Sequence, residues 1–120
     1  MWKILVTTEF ETWHLMLADN EKIALSNVLA LLEHRGPVLG RPHVDRVESS
    51  RFHNMKEIRL SNGIRVFFAF DPHRSAVLLI GGNKSESESS SPNWNRFYEQ
   101  MIPVADEIYA EHLLTLGDGK

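Results

Sequence analysis

The chain has 120 residues, of which 42% are hydrophobic and 24% charged, with no cysteine and a formal net charge of −3. Length and composition fit one globular domain over residues 1–120, and the lack of cysteine excludes disulfides, thiol nucleophiles and thiolate metal sites. The N-terminal residues lack a signal-peptide pattern, and no apolar run approaches the roughly 20 residues that span a bilayer, so the expected address is the cytoplasm with no membrane partner.

Residues 2–7 predict a first strand. Thr8-Glu9-Phe10-Glu11 has the form of a capping box with Thr8 at the cap, and predicts a short helix over about 9–17. Asp19 and Asn20 are N-cap candidates for a second helix. In it Ile23, Leu25, Val28, Leu31 and Leu32 fall largely on one face, and Gly36-Pro37 should end it. Residues 36–53 predict an irregular connector with a short edge strand near 44–47.

From residue 54 the pattern becomes β, with strands expected over 55–60, 64–70 and 76–81. Asn62-Gly63 predicts a two-residue type I′ turn, which needs positive φ at both positions. Asp71-Pro72-His73-Arg74 predicts a second tight turn. Residues 83–93 are a low-complexity Ser/Glu-rich loop. A final helix is expected over 94–116, interrupted or entered near Pro103, with Phe97, Met101, Val104, Ile108, Tyr109 and Leu113 as its apolar stripe. Residues 117–120 should fray. The order, β-α-α followed by an antiparallel β-meander and a C-terminal helix, predicts an α+β fold. Two helices should pack on one face of a small sheet, leaving the opposite face open to a partner or substrate.

Charge is unevenly spread: residues 1–34 carry a net −3, residues 35–74 a net +4 and residues 75–120 a net −4. A basic middle can attract a polyanion, and it can equally be a solvated strand face. The six histidines show no metal-ligand spacing, and no carboxylate pair suggests a cage, so neither metal nor cofactor is expected. No G-x-S-x-G turn occurs, and Gly81-Gly82-Asn83-Lys84 lacks P-loop spacing. Strand alternation puts Glu57 and Arg59 on one face and sets Arg65 out of phase with Val66, Phe68 and Phe70. Arg59 and Arg65 should then be neighbours across the hairpin, pointing away from the core, with Lys84 at the end of the same sheet. RNA would meet such cations with phosphate and bring its own nucleophile, the 2′-hydroxyl. Cutting it needs a base, cations for the pentavalent phosphate and an acid for the leaving 5′-oxygen. The bland alternative is that Arg59 pairs with Glu57 or another cross-strand carboxylate and does nothing else.

Five motifs run in order along the chain. They are Leu39-Gly40-Arg41-Pro42-x-Val44-Asp45; Asn54-Met55-Lys56-Glu57-Ile58-Arg59; and Arg65-Val66-Phe67-Phe68-Ala69-Phe70-Asp71-Pro72-x-Arg74. Then come Leu78-Leu79-Ile80-Gly81-Gly82-Asn83-Lys84, and Phe97-Tyr98 with Ile102-Pro103-x-Ala105-Asp106. Each is weak alone. The ordered series resembles the phage-derived HigB-like branch of the RelE/ParE toxin superfamily over nearly the whole chain. The resemblance implies a small RelE-like fold and the toxin of a type II toxin–antitoxin system. It further implies a metal-independent, ribosome-dependent mRNA endonuclease, with ribosome, mRNA and a cognate helix-turn-helix antitoxin as partners and oligomers formed through the antitoxin.

By motif position, Arg59 and Arg65 resemble the sheet arginines that hold the scissile phosphate, and Lys84 matches the lysine of the family's Gly-Gly-Asp-Lys run. Tyr98 falls in the aromatic pair ahead of the Ile-Pro motif, as a stacking or proton-transfer group. These four form the candidate catalytic set. Lys56, Arg74, His53 and His73 are candidate RNA-binding residues, the histidines being of a residue type that can serve as acid or base and also explicable as turn residues. The chain departs from the family pattern in having Asn83 where an acid is usual, in the Ser/Glu-rich loop ahead of Tyr98, and in its overall acidity. Two alternatives remain: a ParE-like toxin that binds gyrase and cuts nothing, and a degenerate toxin that keeps only antitoxin binding.

Overall fold

The computed structural model describes residues 1–85 and 94–117. In chain order its elements are β1 (Lys3–Val6), α1 (Thr8–His14), α2 (Asp19–Arg35), a 3-10 turn (Gly36–Val38), β2 (Val44–Arg46), β3 (Met55–Arg59), β4 (Ile64–Phe70), β5 (Ser75–Asn83) and α3 (Trp94–Gly117). Most of the Ser/Glu-rich loop, residues 86–93, and most of the expected frayed end, residues 118–120, lie outside the described residues. The strands form one sheet in the order β1-β5-β4-β3-β2. β1 runs parallel to β5 and the other pairs are antiparallel. This is the α+β architecture read from the sequence.

The sheet is covered on both faces. Ile58, Val66, Phe68, Ala76 and Leu78 pack against Phe10, Leu25, Val28 and Leu32 of α1 and α2. On the other face Met55, Phe67, Ala69, Val77 and Leu79 pack against Phe97, Ile102, Ala105, Ile108 and Tyr109 of α3. The expectation of an open second face is therefore corrected. Its reason lies in β4, which reads Ile-Arg-Val-Phe-Phe-Ala-Phe. A strand apolar in both phases must be covered on both sides, and the stripe of α3 supplies the cover. The α3 layer ends beside Tyr98, where the polar residues begin.

Several local expectations shift by a residue or two. Thr7, not Thr8, caps α1: its hydroxyl accepts from Phe10 N–H at 3.0 Å and donates to the Leu79 carbonyl at 2.7 Å. The end of β1 against β5 selects that hydroxyl. The helix ends at His14 rather than near residue 17. α2 is entered through Ala18 with no side-chain cap, and Glu21 instead accepts from Ala18 N–H at 2.9 Å. Leu25, Val28 and Leu32 are buried, whereas Ile23 is exposed, since positions two apart do not share a helix face.

Neither hairpin uses a two-residue loop. Leu60 N–H bonds the Ile64 carbonyl and Gly63 N–H bonds the Leu60 carbonyl, with positive φ at Gly63 (91°) and not at Asn62. That is a three-residue loop in which only the last position is left-handed. The β4–β5 turn has the same form, with Asp71 bonded to Ser75 and Arg74 in the left-handed position at φ 67°.

Asp71 anchors that turn. Its Oδ1 accepts from the N–H groups of His73 and Ser75, and its Oδ2 lies 2.8 Å from His112 Nε2 on α3. Burial pushes this carboxyl up, but the hydrogen bonds from His112, Ser75 and His73 outweigh it and hold the group below its ordinary value. A depressed carboxyl stabilises the fold above its unfolded pKa of about 3.9, and that contribution is lost as pH falls through the folded value. Asp71→Asn is expected to cost about 1–3 kcal/mol at pH 7 and to flatten the acid limb of the stability curve. Thermal unfolding between neutral and acid pH checks this; parallel acid limbs in the two proteins would refute it.

Candidate functional site

Three strand ends and one helix build the site. The β3–β4 register sets Arg59 directly opposite Arg65. Alternation carries Glu57 and Arg59 to the α3 face along with Met55, and Arg65 along with Phe67. Lys84 reaches the same face only through an irregularity in β5. Phe67 pairs with Ile80 and Phe68 with Leu78, so Leu79 is an extra residue. One extra residue reverses the alternation beyond it. Gly82 then lies against Phe97, and Lys84 Nζ sits 5.6 Å from the centre of the Tyr98 ring. With regular pairing Lys84 would face α1.

Glu57 is at the centre and is 6% exposed. Its Oε1 accepts from the Tyr98 hydroxyl at 2.9 Å and lies 4.0 Å from Arg65 Nε. Arg65 is also 6% exposed, and its guanidinium folds back to donate to the carbonyls of Leu60 (3.0 Å) and Ile64 (2.9 Å). The Arg59 side chain is 35% exposed and lies 3.6 Å from Asp45 Oδ2, an oxygen also 3.0 Å from Arg41. Among the described residues, the buried Nε atoms of both Arg59 and Arg65 lack hydrogen-bond partners. Unpaired buried donors are costly, and an incoming anion would satisfy them.

Burial and mutual charge shift the ionisable groups of the site. Burial raises the Glu57 carboxyl above its ordinary value, against the pull of the Tyr98 hydroxyl, Arg65, Arg59 and Lys84. Burial lowers the Lys84 ammonium, helped by Arg65 and Arg59 and opposed by Glu57. Burial and the neighbouring Glu57 raise the Tyr98 phenol. A carboxyl moved up and an ammonium moved down both approach the range useful for acid–base work.

A raised carboxyl stabilises the fold below its unfolded pKa, and that contribution is lost as pH rises through the folded value. Glu57→Gln is therefore expected to leave stability at pH 7 unchanged or higher while removing a proton acceptor from the site. Denaturant unfolding checks this. A loss above about 2 kcal/mol would show instead that ionised Glu57 is needed as the partner of Arg65.

Of the residues singled out from sequence, Arg59, Arg65, Lys84 and Tyr98 come together. The other four do not join them. Lys56 points to the opposite face, where Nζ donates to the Pro37 carbonyl at 3.1 Å and lies 5.7 Å from the Phe70 ring centre. His53 is exposed just before β3, and His73 and Arg74 are exposed in the β4–β5 turn, at the far end of β4 from Arg65. The Arg74 guanidinium sits 4.8 Å over the Trp2 ring. Among the described residues no three His, Asp or Glu side chains gather as a metal site requires.

Asp45 is the cross-strand carboxylate that the bland alternative paired with Arg59, whereas Glu57 was missed as a member of the site. The signal for Glu57 was present: it shares a face with Arg59 and is diagonal to Arg65 across the hairpin. Two other motifs have packing explanations. A Cβ at Gly81 would lie 2.5 Å from the Trp13 ring and one at Gly82 would lie 3.0 Å from Phe97, so the Gly-Gly pair lets an aromatic ring close on each face of β5. Asp106, in the Ile-Pro motif, accepts from the Ser50 hydroxyl and from Arg51 N–H, tying the loop before β3 to α3.

Residues 12–110, a span that includes every one of these candidates, match the family described as Phage derived protein Gp49-like (DUF891). The chain is 43% identical over 105 residues to a protein named as toxin HigB3 of Mycobacterium tuberculosis (strain ATCC 25618 / H37Rv), covering 87% of each chain. It is 42% identical over 114 residues to one named as toxin HigB2 from the same organism, covering 92% of this chain and 49% of that one, so it spans about half of HigB2. In fold it is similar to the isolated RelE toxin of E. coli, with a TM-score of 0.58 at 11% identity over 85% of this chain and all of that one. The conserved hypothetical protein HP0892 of Helicobacter pylori is also similar in fold, with a TM-score of 0.51 at 18% identity over 72% of this chain and 98% of that one.

Proposed function

Because the chain belongs to the phage-derived Gp49-like family and is a toxin of the RelE/HigB type with an antitoxin partner, we propose that it is a metal-independent, ribosome-dependent mRNA endonuclease of the cytoplasm. The observation that carries this reading is the meeting of Arg59, Arg65 and Lys84 with the Glu57–Tyr98 pair at one end of the sheet. The cognate antitoxin is read as a helix-turn-helix protein.

The chemistry uses only the chain's own groups. Arg59 and Arg65 take the non-bridging oxygens of the scissile phosphate with their guanidinium N–H groups, where charge grows in the transition state. Glu57, positioned by the Tyr98 hydroxyl, accepts the proton of the RNA 2′-hydroxyl. The 2′-oxygen bonds to phosphorus, the bond from phosphorus to the 5′-oxygen breaks, and Lys84 protonates that leaving oxygen. The products are a 2′,3′-cyclic phosphate and a free 5′-hydroxyl. Lowering the ammonium makes Lys84 a better acid, and raising the carboxyl makes Glu57 a better base.

Primer extension on mRNA from cells expressing the chain without its antitoxin tests the reading. New in-frame 5′ ends are expected from the parent and not from Lys84→Ala at equal expression. Growth arrest by the parent without new ends would sink the nuclease reading.

A further inference from the structure

Beside the proposed catalytic group lies a cleft of about 690 Å³ to which no role has been given. It runs between α2 and the segment before β2, and it reaches Arg59 and Arg65 around the end of β3. Val28 and Leu60 form apolar wall; Arg41, His43, Arg59 and Arg65 supply the polar groups. No carboxylate lines it among the described residues. Its size suits a small-molecule ligand or a nucleotide unit.

We propose that this cleft holds the RNA nucleotide next to the scissile phosphate, with its phosphate on Arg41 and Arg59 and its base against the Val28–Leu60 wall. The proposal deepens the nuclease reading and rests on the chain being an RNA-acting toxin. Three observations support it. The lining is cationic and apolar, as a single-strand track requires. Arg59, which lines it, holds a buried Nε donor without a hydrogen-bond partner among the described residues. Asp45 Oδ2 already bridges Arg41 (3.0 Å) and Arg59 (3.6 Å), so the two guanidinium groups are held at the spacing that one oxyanion can span. Asp45 stands where it competes with that phosphate and sets how tightly it is held.

The probe is a fluorescein-labelled tetraribonucleotide with 2′-O-methyl on every sugar, which lacks the nucleophile and is not cut. Binding to the purified chain is read by anisotropy across a salt series. Arg41→Ala is expected to weaken binding about 5- to 10-fold and to reduce the salt slope by about 0.7, one phosphate contact on a single strand. Asn27→Trp, at an exposed α2 position on the cleft wall, should fill the cleft and abolish binding without touching the core. Asp45→Asn should tighten binding a few-fold. Arg35→Ala, away from the cleft, should bind as the parent does.

Binding by Arg41→Ala and Asn27→Trp equal to the parent overturns the proposal, as does an equal loss in Arg35→Ala, which would signal diffuse surface charge. Lost antitoxin binding in the cleft variants with unchanged RNA affinity also overturns it, and assigns the cleft to an acidic protein segment. The two readings fail separately. If the variants discriminate but no mRNA ends form in cells, the cleft stands and the nuclease reading falls. If ends form and the cleft variants bind and cut as the parent does, the reverse holds.

Discussion

Arg65→Ala is expected to reduce mRNA cleavage on purified ribosomes about 100- to 1,000-fold, the cost of losing a donor aimed at developing charge. The side chain has two tasks. Its guanidinium bonds the Leu60 and Ile64 carbonyls that close the β3–β4 hairpin, and its Nε faces Glu57 at 4.0 Å. Alanine takes one donor from each carbonyl, which keeps its backbone N–H partner, and removes the nearest cation from a buried carboxyl, so stability should fall as well. Arg65→Lys separates the tasks. It keeps the charge but not the planar fork, and should recover part of the stability and little of the rate. If Arg65→Ala stays folded and cuts within about tenfold of the parent, roughly 1.4 kcal/mol in the barrier, Arg65 only pins the hairpin and the phosphate assignment moves to Arg59 and Lys84.

Phe67→Ala is expected to cost about 3–5 kcal/mol, a large share of the 5–15 kcal/mol typical of a whole domain. Phe67 is fully buried on the α3 side of β4. Its ring centre lies 6.2 Å from those of both Phe97 and Tyr98. The cavity would open under the first turns of α3, where Tyr98 is carried to Glu57. Loss of thermal stability by at least about 10 °C should therefore come with lost cleavage even in the protein that remains folded. Phe67→Leu should retain most of both. A cost below about 1 kcal/mol for the alanine variant would mean that α3 does not form the second packed layer.

Much of this arrangement was legible in the order of residues. The strand cores, the turn positions, the stop of α2 at Arg35 and the adjacency of Arg59 and Arg65 all follow from near-neighbour rules. The apolar alternation of β3, the run of β4 and the glycine of the first hairpin act within a few residues of where they sit. Strand order put Lys84 at the same end of the sheet and the motif series added Tyr98, although no local rule brings either of them to the α3 face.

What escaped the sequence reading depends on contacts far apart in the chain. Thr7 wins over Thr8 as the α1 cap because its hydroxyl meets the Leu79 carbonyl. Lys56, by contrast, leaves the site by strand alternation alone, and His53, His73 and Arg74 lie at the other ends of β3 and β4.

By itself the sequence determined the element order, the hairpin ends and the pairing of two arginines, since these rest on periodicity and turn chemistry. Tertiary structure alone decided that α3 closes the second face and that the extra residue in β5 turns Lys84 toward Tyr98. It also decided that Glu57 is buried among the cations. Packing two helical layers against one sheet selects these outcomes, because only in the assembled core does burying Phe67 and Leu79 outweigh breaking the regular ladder of β5.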